Sequence, residues 1–229
     1  MIRTDFTARL LRASVALLAL ATASCGARRA AGSNVATAPR PVDLDPTARA
    51  RADSARLPYT DADVAFMSGM IHHHAQALVM AAWAPTHGAS AQVQTLCERI
   101  INAQQDEIRT MQTWLRSRNR EAPEPNPAGM PMEMDGVRHV MPMPGMLTEE
   151  QMSQLNAARG NAFDRLFLSF MIQHHRGAIT MVRTLLSQPG AAQDEVVFKF
   201  ANDVQVDQGT EIARMERMLF SATTERRPQ

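Results

Sequence analysis

Apolar residues recur at intervals of three and four along four long stretches of this chain, and proline or glycine interrupts each gap between them. The first stretch opens at Thr60-Asp61-Ala62-Asp63, which has the form of a capping box, and runs to Trp83, just ahead of Pro85. The second spans about Ser90 to Arg118, with Val93, Leu96, Cys97, Ile100, Ile101, Ile108, Met111 and Leu115 on its apolar side. A third is expected from Asn161 to about Ser187, where Pro189-Gly190 stops it, and a fourth from about Ala191 to Phe220. A short helix is expected from Thr148 to about Arg159. Short turns within each pair imply antiparallel neighbours, so the pattern predicts an all-α, four-helix bundle built from two helical hairpins, with no strand signal. The domain then covers 59–220: a first hairpin at 59–118, a Met/Pro-rich linker at 119–147, a second hairpin at 148–220, and a tail at 221–229.

The two hairpins repeat one another. Met70-Ile71-His72-His73-His74-Ala75-Gln76-Ala77-Leu78-Val79-Met80 returns as Met171-Ile172-Gln173-His174-His175-Arg176-Gly177-Ala178-Ile179-Thr180-Met181, and Asp63 and Phe66 match Asp164 and Phe167. In the second helix of each pair, Gln104, Glu107, Ile108, Met111 and Leu115 match Gln208, Glu211, Ile212, Met215 and Leu219.

Five of the seven histidines fall in the duplicated motif, which changes the picture from packing to chemistry. Adjacent helical residues point about 100° apart, so His73 and His74 cannot chelate one ion as neighbours. Each helix is expected to turn one imidazole inward and the other toward a groove or a neighbouring helix. The same holds for His174 and His175. Met70, Met80, Met171 and Met181 lie on the faces that these histidines share. Gln104, Glu107, Gln208 and Glu211 interrupt otherwise apolar stripes, which is costly unless something inside bonds them. A glutamate holding the far nitrogen of a metal-binding imidazole is one such arrangement. His72, replaced by Gln173 in the second copy, reads as accessory.

Composition adds three constraints. Residues 1–24 combine Arg3, Arg9 and Arg12 with the apolar run Ala13–Ala23 and read as an export signal. Thr22-Ala23-Ser24-Cys25 resembles a lipoprotein box, with Cys25 as the lipidated residue; cleavage after Ala21-Thr22-Ala23 is the alternative. Residues 25–58, rich in Ala, Arg, Pro and Ser, read as a tether. The expected location is therefore the periplasm or outer cell envelope, with membrane attachment only through the lipid. Formal net charge is +1, and −1 without residues 1–24, so nothing favours nucleic acid as a partner. With Cys25 lipidated, Cys97 is the sole thiol, and its apolar context marks it as a small buried residue.

The linker carries its own clue. Met130, Met132, Met134, Met141, Met143, Met146 and His139 crowd into a stretch with no core-forming pattern. Thioethers in water gain little by packing, but they are ligands for soft Cu(I) and Ag(I).

The segments Phe66–Ala77, Gln104-x-x-Glu107-Ile108-x-x-Met111, Gly145–Thr148, Phe163-Asp164 and Phe170–Ile179 resemble the exported bacterial family of domains of unknown function numbered 305. That resemblance implies a ferritin-like bundle, and kinship with periplasmic copper-binding members. It carries His73, His74, His174 and His175 over as ligands, with Met70 and Met171 alongside. Di-iron bundles, by contrast, place Glu three residues before the ligand histidine, whereas Met70, Ile71, Met171 and Ile172 stand there in this chain.

The leading expectation is an exported protein that binds copper, as Cu(I) or Cu(II), for sequestration or transfer, with no organic cofactor. Its partner is the metal ion, and a homo-oligomer is compatible with the pattern without being required by it. A second reading is an enzyme using His73 or His174 as a general base oriented by Glu107 or Glu211, although no nucleophile motif accompanies it. A third is a metal-free structural or interaction module of the cell envelope.

Overall fold

The computed structural model describes residues 58–224. The export segment 1–24, Cys25 and all but the last residue of the 25–58 tether lie outside them. Helix α1 spans Asp61–Ala82 and begins with both halves of the expected capping box: Asp63 N–H donates to Thr60 Oγ1, and Thr60 N–H donates to Asp63 Oδ2. Helix α2 spans Ala91–Ser117 and is capped by Ser90. A β-hairpin follows, β1 at Met130–Met134 and β2 at Val137–Met141. Helices α3 (Glu149–Ala157), α4 (Asn161–Leu186) and α5 (Glu195–Thr224) complete a mainly helical fold.

Two expectations are corrected. The linker does contain strands: β1 and β2 pair antiparallel around Asp135 and Gly136, whose φ values of 54° and 73° make the type I′ turn that Asp-Gly favours. Helix α5 starts at Glu195 rather than near Ala191. Asp194 is the reason: its Oδ1 accepts the N–H groups of Val196 and Val197 as a cap, and its carboxylate also holds Trp114 Nε1 and the Arg118 guanidinium. Burial alone would raise the Asp194 pKa, but the bonds from Arg118 and Trp114 outweigh it and hold the carboxyl below its ordinary value.

Helices α1 and α2 pack as one hairpin, α4 and α5 as another, and α1 crosses α4 between them. The apolar interior is divided in two. One core gathers Phe66, Met67, Met70 and Ile71 of α1 with Met111 and Leu115 of α2, Met181 and Leu185 of α4, and Phe200 and Val204 of α5. The other gathers Met80 and Ala81 with Leu96 and Cys97, Phe163, Phe167 and Met171, and Met215. Between the two cores, at the crossing of α1 and α4, lie the histidines.

Two aspartates tie the copies together reciprocally. Buried Asp63 of the first copy accepts Ala192 N–H at 2.7 Å in the turn of the second. Its repeat partner Asp164 accepts Ser90 N–H at 3.2 Å in the turn of the first. No described helix is long and apolar enough to cross a membrane.

Candidate metal centre

All four histidines of the paired motif are fully buried. His73 of α1 and His174 of α4 face one another across the helix crossing, with ring centroids 3.8 Å apart. Their sequence neighbours turn away, with centroids 6.2 Å from His73 to His74 and 6.3 Å from His174 to His175, as the 100° offset requires. His74 Nε2 lies 2.7 Å from Glu107 Oε2 of α2. His175 Nε2 meets Glu211 Oε2 of α5 at the same 2.7 Å and in good hydrogen-bond alignment, whereas the His74 contact is off-line. The expected division of labour is therefore present: one imidazole of each pair inward, the other held by a glutamate of the partner helix.

The inner rings are electrically unusual. Burial, reinforced by the neighbouring His74 and His175, holds the His73 pKa well below the ordinary imidazole value. Burial and the surrounding His73, His175 and His74 do the same to His174. Both rings are thus neutral, the form in which imidazole offers a lone pair to a metal. Several ring nitrogens have no hydrogen-bond partner: Nδ1 of His73, His74 and His175, and both nitrogens of His174. Buried polar atoms are ordinarily satisfied, and here the exceptions concentrate at one layer. Among the described residues, no three His, Cys, Asp or Glu side chains converge as a preformed cage. Any ligand set must therefore draw on two facing imidazoles and on donors of another kind.

Met70 and Met171, one turn before the inner histidines, are fully buried. Met80 and Met181 fall in opposite cores, at the far ends of the two motif helices. Gln104 and Gln208 are 3 % exposed, and Gln104 Oε1 and both side-chain polar atoms of Gln208 lack partners. With Glu107, Asp207 and Glu211 they line a cleft between α2 and α5. Slight desolvation, then Glu107, Asp203 and Glu211, push the Asp207 carboxyl above its ordinary value. Cys97 is buried in the second core, where burial, then Asp164 and Glu98, push its thiol up to about 12.

The linker closes the centre from the other side, held by His73 and His72 together with Gln76, Gln173 and Gly177, to which sequence reasoning gave no role. His73 Nε2 bonds the Pro144 carbonyl at 3.1 Å. Gln76 brackets Leu147, accepting its N–H at 2.7 Å and donating to its carbonyl at 3.0 Å. Gln173 Nε2 donates to the Gly145 carbonyl at 3.3 Å, and His72 Nδ1 accepts Asn126 N–H at 3.1 Å. Gly177 leaves room for the Pro144 carbonyl, which a Cβ there would overlap. Part of the signal was available: Gln76/Gly177 and His72/Gln173 are two of the five positions where the two motif copies differ. The shared His-His positions build the imidazole layer, and these two unlike pairs dock the single linker.

Family comparison agrees with the resemblance noted above. The chain belongs to the DUF305 family, described as a domain of unknown function, whose model matches residues 63–219. A Deinococcus radiodurans DUF305 fragment is similar in structure, with 28% identity, a TM-score of 0.59, and coverage of 72% of this chain and 99% of the fragment. A DUF305 protein of Streptomyces coelicolor, named as a candidate secreted protein, shares 25% identity with a TM-score of 0.59, over 71% of this chain and 94% of its own. CopM in its Cu(I)-bound form shares 25% identity with a TM-score of 0.53, over 72% of this chain and 98% of its own. No curated protein matches the chain.

Proposed function

We propose that this DUF305 protein binds copper at the crossing of α1 and α4, for sequestration or transfer. The observation that carries this reading is the layer of buried imidazoles with unpartnered ring nitrogens, set symmetrically between two apolar cores. His73 and His174 would be the inner ligands. His74 and His175 would flank this pair, with Glu107 and Glu211 beside their rings supplying negative charge near a cation. Met70 and Met171 would complete the donor set, which suits Cu(I) where thioether joins and Cu(II) where imidazole and carboxylate dominate. Gln104 and Gln208 line the approach from the α2/α5 cleft. The likeness to CopM, whose copper-bound form has been solved, supports the choice of metal. The export signal 1–24 and Cys25 anchor fit delivery to the envelope, and the Streptomyces relative supports export.

Copper titration of the purified protein tests the assignment. Copper at about 100 times its Kd is expected to stabilise the fold by about 2.7 kcal/mol, seen as a higher Tm. The His73→Ala/His174→Ala variant is expected to lose this response. Unchanged stoichiometry and affinity in that variant and in His74→Ala/His175→Ala would overturn the ligand assignment. The His175–Glu211 hydrogen bond also supports a metal-free structural role, which predicts that neither copper nor a chelator moves the wild-type Tm.

A further inference from the structure

Gly69 stands inside α1, where glycine costs roughly 1 kcal/mol relative to alanine, and its repeat counterpart is Phe170. Duplication therefore does not explain the glycine. Its surroundings do. Where a Cβ would stand, Met143 Sδ is 3.0 Å away, Met181 Cε 3.4 Å and Met130 Cε 3.8 Å. Three methionine side chains, from the 142–147 loop, from α4 and from β1, approach one point on α1, Met143 with its sulfur and Met181 and Met130 with their terminal methyl groups, one helical turn from His73. Gly69 and Met181 are buried, whereas Met130 and Met143 are only partly buried.

The β-hairpin register extends the pattern outward. Strand alternation sets Met130, Met132 and Met134 on one face, and pairing adds Met141 opposite Met130 and His139 opposite Met132. Met134 and Met141 remain 56% and 44% exposed, which packing does not reward. Met146 does not belong to this set, because it is buried and its sulfur accepts Met143 N–H at 3.2 Å.

We propose that Met130, Met143 and Met181 form a second site, for a monovalent soft cation of the Cu(I) or Ag(I) class, seated over Gly69. The site shares no residue with the donor set of the imidazole layer, and three neutral thioethers select a soft, singly charged ion. The missing Cβ at Gly69 keeps Met143 Sδ at the meeting point.

Anaerobic titration with Cu(I) against a chromophoric chelator, repeated with Ag(I), tests the site, with X-ray absorption reading copper–sulfur scattering. Met→Leu exchanges conserve volume, so Met130→Leu/Met143→Leu/Met181→Leu is expected to keep native helicity. It should lose about one Cu(I) equivalent together with its sulfur scattering, while Cu(II) binding persists. Gly69→Ala, which keeps every sulfur but displaces Met143, is expected to weaken the same equivalent. His73→Ala/His174→Ala is expected to retain it, even if the imidazole centre is abolished or binds nothing at all. Unchanged Cu(I) stoichiometry and sulfur scattering in both the triple-leucine and Gly69→Ala variants would overturn the proposal. So would loss of that equivalent in the histidine variant alone.

Discussion

At the scale of single residues, the inner histidines are held in a form that costs the fold something in acid. Burial keeps the His73 and His174 pKa values well below 6.5, so over the interval beneath 6.5 the unfolded chain binds protons that the folded chain does not. Their contribution to stability is complete above about pH 6.5 and falls as the pH drops, by up to about 1.4 kcal/mol per pH unit for each ring. Metal-free protein should therefore show a urea midpoint that declines between about pH 6.5 and 5, and His73→Leu/His174→Leu should flatten that decline. Asp207, whose carboxyl is raised, acts with the opposite sign and in a more acidic window. It is common to both proteins and cancels in the comparison. An equal slope in the variant would mean that the imidazoles are not held neutral.

At the scale of elements, the linker decides how the centre is covered. Gly177 sits inside α4, where alanine would gain roughly 1 kcal/mol in helix propensity. Against that gain, its Cβ would overlap the Pro144 carbonyl and meet Gly145 Cα at 2.6 Å, and both belong to backbone that cannot rotate away. Gly177→Ala is accordingly expected to keep α4 helical while the 143–147 segment lifts and the His73–Pro144 bond is lost. Amide exchange should accelerate at Met146 and Leu147 and stay slow through α4. Retained protection at Leu147 would count against this account. The four long helices were legible because their apolar period, capping residues and Pro/Gly stops are local. The hairpin was signalled by Asp135-Gly136 but masked by methionines, which carry little strand preference. The linker's docking was not legible, because Gln76 and His72 find partners more than fifty residues away. Likewise, the period of α5 suggested an earlier start than Asp194 allows, because Trp114 of α2 and Arg118 just beyond its end fix where the cap sits.

At the scale of the whole molecule, each helical hairpin is incomplete without the other, since each apolar core is assembled from both. The reciprocal aspartates lock that exchange, but unequally. Asp63 is fully buried and serves three partners: its Oδ1 takes Ala192 N–H, and its Oδ2 takes the N–H and hydroxyl of Thr60. Asp164 is half-buried and shares a single N–H, that of Ser90, between its two oxygens. Hydrogen bonds to a charged group contribute about 1.5–3 kcal/mol, and orphaning a buried N–H costs about 1–3 kcal/mol. Asp63→Ala combines both losses with that of the α1 cap, so it should destabilise by about 3 kcal/mol or more, whereas Asp164→Ala should cost roughly 1 kcal/mol, because water can reach Ser90 N–H. Urea unfolding of the two variants, compared with their double, measures the difference. The tie sites sit at opposite ends of the molecule, so near-additive losses are expected. A smaller loss for Asp63→Ala than for Asp164→Ala would mean that the histidine layer, rather than the turn-to-turn ties, holds the two copies in register.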